Sequence, residues 1–237
     1  MNRDKIFGTI GIAGAAFLLV GIVIAVITFE NGAFSLLNGF YSELGHYPGA
    51  YLGGSSALIF NVLMALFGLI MCAFMVFWGI RQDSWAFGAA AFFGILTGVL
   101  AAAQAIFTLD YARYHYIVVS AFAVSVFLFG ATYIIAALAT GRNDSIAPVV
   151  VAFFTAISSA VYAGFVISGG MTQVFVEDAS QIGRLTFIPF AVVGWLMLLL
   201  VMALLVLLSV ELMRDRRNVH EVDFAERVRG RSREVEF

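Results

Sequence analysis

The segment YSELGHYPGAY at residues 41–51 places titratable side chains in a chain that is otherwise largely apolar. Glu43 and His46 have the Glu-x-x-His spacing with which the helices of di-iron bundles present two ligands on one face. The glycines and the proline around them argue against a regular α-helix. The pair therefore indicates a chemically active loop more than a helical metal site.

A second acid and a second histidine follow in the segment LDYARYHY at residues 109–116. If the two segments converge, two histidines and two carboxylates could bind a divalent metal such as zinc, with one position left for activated water. These potential ligands are Glu43, His46, Asp110 and His115. They lack a second copy of the motif and any His-x-x-x-His spacing, so we expect no cofactor, with the metal as the alternative. The other interpretation is acid–base catalysis by a histidine that a carboxylate orients.

Uncharged polar side chains accumulate near the same ends of the predicted helices. Asn61 falls inside the second helix, and Gln104 falls near the end of the third. Amide groups in hydrocarbon need hydrogen-bond partners, so both either line a polar pocket or bond to each other between the helices. The predicted catalytic residues are Glu43, Asp110 and His115, and the predicted binding residues are Asn61, Gln104, Arg113 and Arg184, to which a family resemblance described below adds Ser42. The two arginines would clamp a phosphate or carboxylate.

The elements that must position these residues are membrane-spanning helices. Hydrophobic residues make up 62% of the chain and charged residues only 12%, against roughly a quarter charged in soluble domains. A helix needs about 20 apolar residues to cross a bilayer, and the predicted spans are 7–29, 56–80, 85–108, 117–140, 146–169 and 186–211. We therefore predict an all-α, polytopic integral membrane protein. Its single six-helix transmembrane domain is at 1–211, and a charged cytoplasmic tail is at 212–237.

The basic residues orient the predicted bundle in the cell membrane. Most of them lie at the N-terminus, in the two short turns and in the tail, which all fall on one side. The positive-inside rule places that side, with both termini, in the cytoplasm. The longer connections at 30–55, 109–116 and 170–185 are then extracytoplasmic. Their tyrosines, Tyr41 among them, are predicted to anchor in the aromatic belt at the membrane interface.

Several functional classes lack their sequence signature. Cys72 is the only cysteine, which excludes disulfides within the chain and cysteine-based zinc sites. The chain contains neither the Gly-x-Ser-x-Gly elbow of serine hydrolases nor a P-loop. The basic residues lack interleaved aromatic residues, so nucleic acid is not an expected partner. The expected partners are membrane lipids, while protein partners and homo-oligomers stay open.

Two motifs resemble the DUF 998 family of prokaryotic six-span membrane proteins. SELG at 42–45 is followed by ALIFN at 57–61, and FTLDYARYHYIVVSAFAVSVF at 107–127 places an acidic turn before a histidine at the head of the fourth helix. That family is distantly similar to the DRAM- and FRAG-like proteins, some of which are linked to lipid or GPI-anchor remodelling. The resemblance covers nearly the whole layout and marks Ser42, Glu43, Gly45, Phe60, Asn61 and His115. His46 lies outside the motif. The family has no settled activity, so the resemblance supports a site and not a reaction.

The leading functional hypothesis is an outward-facing polar pocket that binds or remodels a lipid or lipid-linked headgroup. In its enzymatic version, His115 is the general acid or base and a carboxylate orients it. A small-solute or proton-coupled transporter is the first alternative, although it needs ionisable groups along a path across the membrane. A non-catalytic assembly or sensing module is the second.

Overall fold

A computed structural model describes residues 3–29, 34–46, 54–141, 145–170 and 187–234. These residues form six α-helices and two short 3₁₀ turns, and none of them lies in a β-strand. The helices are α1 Arg3–Thr28, α2 Gly54–Ile80, α3 Trp85–Ile106, α4 Ala112–Thr140, α5 Ile146–Ile167 and α6 Pro189–Glu234. The 3₁₀ turns are Tyr41–Gly45 and Leu109–Tyr111.

Each of the six helices contains a stretch long and apolar enough to cross a membrane. This confirms the predicted all-α, six-span architecture. Their outward faces are apolar as well, since Leu69, Phe92 and Ile135 leave 61%, 61% and 62% of their surface exposed. Helices that are hydrophobic on all sides are typical of spans that have lipid as their solvent.

The largest differences from the predicted spans are at three helix ends. The fourth span begins at Leu109 and not at 117, because the 3₁₀ turn there leads directly into α4. α1 begins at Arg3 and not at 7. α6 continues through the predicted tail as far as Glu234, because that segment lacks proline and is rich in Arg and Glu, which are good helix formers.

The helices pack as a ring in chain order. Each helix contacts the next one along the chain, and α6 closes the ring by packing on α1. The interior is filled by large side chains that expose none of their surface, such as Phe67, Phe74, Phe122, Phe129 and Leu198. The middle of the bundle is therefore a packed apolar core.

One end of the bundle is held by an ion pair. Asp4, at the start of α1, is only 2% exposed, and the Arg81 guanidinium donates to its Oδ2 at 2.9 Å. Arg81 follows α2 directly. The pair therefore ties the beginning of α1 to the turn between α2 and α3.

The opposite end is closed by part of the long connection between α1 and α2. Residues 34–46 enter the mouth of the ring; we call this segment the plug and this end of the molecule the loop end. Two hydrogen bonds from the start of the last span hold the plug. The Ile188 amide donates to the Leu37 carbonyl at 2.8 Å, and the Trp195 indole donates to the Gly39 carbonyl at 2.9 Å. The plug is consequently anchored by residues that are about 150 positions away in the chain.

The 3₁₀ turn Tyr41–Gly45 forms the innermost part of the plug. Glu43 stabilises its start, because one carboxylate oxygen accepts a hydrogen bond from the Phe40 amide at 2.8 Å. Phe40, Tyr41 and Leu44 each leave only 1% of their surface exposed. The large side chains of the turn therefore fill the mouth of the ring, while the Glu43 carboxylate bonds to the plug's own backbone.

Candidate functional site

A small cavity lies beneath the plug at the loop end. It is lined by Tyr41, Ser42, Gly45, Phe60, Asn61, Met64, Gln104, Thr108 and His115. The lining therefore combines the plug with α2, α3 and α4 and with the residues that join α3 to α4. The cavity volume is about 10 Å³, which is close to the space that a single water molecule needs.

Gln104 enters the cavity from the end of α3. The Tyr41 hydroxyl donates to the Gln104 Oε1 atom at 3.0 Å. Complete burial raises the pKa of the Tyr41 phenol, against the opposing effect of the Tyr162 and Gln104 side chains, so the phenol stays a hydrogen-bond donor. The Gln104 Nε2 atom is buried and has no hydrogen-bond partner in the part of the chain that the structure describes. This amide group is thus held at its oxygen and left open at its nitrogen.

His115 enters the cavity from the first turn of α4 and is 2% exposed. Its Nδ1 atom lies 2.7 Å from the carbonyl oxygen of Phe107, the residue that caps α3. A carbonyl oxygen only accepts, so a neutral imidazole must carry its proton on Nδ1 and present a lone pair at Nε2. That Nε2 atom is buried and has no partner among the described residues.

The plug contributes Ser42 and a close backbone contact to the same cavity. The Ser42 hydroxyl is buried and, within the described residues, is also without a partner. The Asn61 side chain donates from Nδ2 to the Gly45 carbonyl at 2.9 Å. A side chain at position 45 would overlap the Asn61 carboxamide, so glycine is required there for the plug to approach α2 this closely.

The two amides were predicted either to face a pocket or to bond to each other. Both line the cavity, and each makes its hydrogen bond to the plug, Gln104 with Tyr41 and Asn61 with Gly45. The amides therefore connect α2 and α3 to the loop that covers them. Whether either amide binds a ligand stays a prediction.

The predicted acids lie outside the cavity lining. The Glu43 carboxylate accepts from the Phe40 amide within the plug. Asp110 accepts from the Thr108 hydroxyl at 2.6 Å, and its other oxygen lies 3.1 Å from His46 Nδ1. The expectation that a carboxylate orients His115 is wrong for its Nδ1 atom, because the Phe107 carbonyl takes that position.

The remaining predicted residues are the two arginines. Arg113 is exposed on the first turn of α4 and does not line the cavity. Arg184 lies outside the described residues. Their predicted role as anion clamps therefore stays a prediction.

Sequence reasoning missed the contribution of Tyr41. The residue was expected in the aromatic belt, but it is 1% exposed and hydrogen-bonded to Gln104. Tyr111 and Tyr114, in contrast, leave 59% and 58% of their surface exposed. Position next to Ser42 was the only sequence signal for Tyr41, because hydropathy does not distinguish a buried tyrosine from an interfacial one.

The structure does not gather the four potential metal ligands into one group. Among the described residues, no three His, Cys, Asp or Glu side chains come close enough together to hold a metal ion. His46 and Asp110 form an ion pair at 3.1 Å. The cavity itself offers nitrogen and hydroxyl groups of Ser42, Gln104 and His115.

Comparisons with protein-family models, with curated proteins and with solved structures found no match to this chain. The resemblance to the DUF 998 family therefore stays a prediction. What can be said of function depends on the cavity and on the residues that line it.

Proposed function

We propose that this integral membrane protein binds a lipid or lipid-linked headgroup at its loop end, and that the cavity under the plug receives one polar group of that headgroup. One observation carries the proposal. Three side chains from three different segments, Ser42, Gln104 and His115, line one cavity, and each has a buried polar atom without a partner, as far as the described residues extend. Each such atom costs free energy, about 1–3 kcal/mol, if nothing satisfies it.

The size of the cavity limits what it can receive. A volume of about 10 Å³ accommodates one or two non-hydrogen atoms, on the scale of a water molecule. A complete headgroup would therefore contact the plug from outside and insert only its terminal polar group. The positive-inside rule predicts that the loop end faces the extracytoplasmic leaflet, so lipids of that leaflet are the proposed ligands.

The enzymatic form of this proposal assigns acid–base chemistry to His115. The Phe107 carbonyl orients the ring, so that a neutral imidazole presents Nε2 to the cavity as a base. Gln104 would donate a hydrogen bond to an oxygen of the same group. Binding of the headgroup requires only this arrangement of His115 and Gln104. Catalysis would also require that the reacting bond of the lipid reach the cavity.

Transport is less well supported by the arrangement of charges. Within the described residues, α2, α3 and α5 contain no Asp, Glu, Lys, Arg or His. The charged residues and histidines of α1 and α4 lie in the first turn of each helix, and those of α6 begin at Glu211, near the end of its membrane-spanning stretch Pro189–Arg214. A proton-coupled carrier needs such groups along its path.

The proposal is tested by identifying the lipids that co-purify with the protein. We expect native mass spectrometry of the full chain to show a bound lipid that is lost or reduced about tenfold in His115→Ala and Ser42→Ala, because each removes a polar atom of the cavity. Ser159→Ala is the matched control, since Ser159 is a buried serine that bonds within its own helix at 2.6 Å and does not line the cavity. Equal lipid retention in all variants would contradict the proposal. Uptake of a solute by proteoliposomes would favour transport instead.

A further inference from the structure

We infer that the group received by the cavity is an alcohol hydroxyl, so that the lipid recognised is one with a free hydroxyl in an uncharged headgroup. The inference rests on the proposed function and adds the chemical class of the ligand to it. It depends on the hydrogen-bonding direction of the three unpartnered atoms in the described lining.

The cavity offers one acceptor, one donor and one group that can act as either. With its proton on Nδ1, the His115 ring accepts at Nε2. The Gln104 nitrogen only donates, and the Ser42 hydroxyl does both. A hydroxyl donates one hydrogen bond and accepts up to two, so it satisfies all three groups at once.

This donor–acceptor pattern is preset by neighbours outside the cavity. The Tyr41 phenol donates to the Gln104 oxygen, which leaves the amide nitrogen as the free donor of this lining residue. The Phe107 carbonyl sets the protonated nitrogen of His115. Tyr41 is thus a positioning residue. Without its hydroxyl, the side-chain amide of Gln104 could flip and present its oxygen to the cavity.

Charged groups match the lining less well. Among the described residues, the lining includes no Lys, Arg, Asp or Glu. A phosphate or carboxylate oxygen would face the lone pair of His115 without a cation to compensate, and burying an unpaired charge is strongly unfavourable. An ammonium group would face the Gln104 donor without a carboxylate. An apolar group would leave three polar atoms unsatisfied.

A series of short-chain lipids tests the inference on the wild-type, full-length protein in detergent. The probes are dioctanoylglycerol with its free hydroxyl, the O-methyl ether of that hydroxyl, a glycosyl dioctanoylglycerol and dioctanoyl phosphatidic acid. We expect dioctanoylglycerol or its glycosyl derivative to bind about tenfold more tightly than the methyl ether, because methylation removes the donor to His115. Preference between these two hydroxyl lipids distinguishes a glycerol from a sugar hydroxyl, and either supports the inference.

Two variants place the effect in the cavity. Gln104→Glu replaces the donating nitrogen by an oxygen at nearly constant shape, so hydroxyl binding should fall about tenfold. Ser159→Ala should leave it unchanged. Because the lipid series needs no substitution, it stays decisive even where a variant does not fold.

The possible failures are distinguishable. If the methyl ether binds as tightly as the free alcohol, the hydroxyl inference is refuted. If phosphatidic acid binds as tightly as the hydroxyl lipids and loses affinity in His115→Ala, headgroup binding stands and the hydroxyl inference falls. If no lipid of the series binds, and none co-purifies, both fall together.

Discussion

Replacing Tyr41 by phenylalanine isolates the hydrogen bond that joins the plug to α3. The substitution removes one hydroxyl and leaves the ring in place, while the Gln104 oxygen loses its donor at 3.0 Å. Both residues are buried, so water does not replace the lost donor. An unsatisfied buried acceptor costs about 1–3 kcal/mol. Since 1 kcal/mol corresponds to about 2–4 °C in chains of this length, we expect the unfolding midpoint to fall by about 2–12 °C.

A double-mutant cycle separates this hydrogen bond from other effects of the substitution. In Tyr41→Phe/Gln104→Leu, neither partner remains to be unsatisfied, and replacing both partners by apolar groups is nearly neutral. The loss in the double variant should therefore be smaller than the sum of the single losses by at least about 0.5 kcal/mol. Thermal unfolding in detergent, followed by a fluorescent probe or by light scattering, measures all four proteins.

The control is Tyr114→Phe, which removes the hydroxyl of a tyrosine that is 58% exposed. It should shift the midpoint by less than 2 °C, because an exposed phenol keeps its bonds to water or headgroups. Additive losses in the cycle, or equal losses for the two tyrosines, would refute the reasoning that Tyr41 is buried and bonded to Gln104.

Three further results follow from close contacts and charges. Gly45→Ala should destabilise the protein by about 1–3 kcal/mol through overpacking. Gly88→Ala should be neutral or stabilising, because nothing lies within 4 Å of a side-chain carbon added at Gly88. Unfolding midpoints of the two variants check both expectations. Arg81→Ala removes the Arg81 partner of the buried Asp4 carboxylate and should lower the free energy of unfolding by about 1–3 kcal/mol. The loss should be smaller than for a fully buried pair because Arg81 is 37% exposed. The double variant Asp4→Asn/Arg81→Ala should recover part of this stability. Burial raises the pKa of Tyr41, so the unfolded chain ionises first near pH 10 and stability should fall as the pH rises above that value. Tyr41→Phe should weaken this alkaline loss in a pH series of unfolding midpoints.

Much of the architecture follows from local sequence patterns. Six apolar runs predicted six spans, and each overlaps a helix that is able to cross a membrane. The missed helix ends share one cause. Hydropathy reports the solvent that a residue prefers and not its hydrogen bonding, so polar residues that continue a helix, such as those after 211 in α6, look like a tail.

The candidate site was partly predictable. Asn61 and Gln104 were selected because amide groups in a membrane protein need partners, His115 for acid–base chemistry and Ser42 through the family resemblance, and all four line one cavity. Tyr41 was missed, and the two acids were placed at the centre although they lie beside it. Residue type shows that a polar group needs a partner, but it does not show which partner it finds.

The sequence by itself determined that this chain crosses a membrane six times and that its polar side chains collect at one end. Hydrophobic run length is a local property, so it can be read without the fold. Only the tertiary structure decided that the plug turns into the mouth of the ring, where Trp195 holds it and where Ser42 meets Gln104 and His115 around one cavity. Those contacts join residues far apart in the chain, and they exist because the closing of the ring brings four segments together within hydrogen-bonding distance.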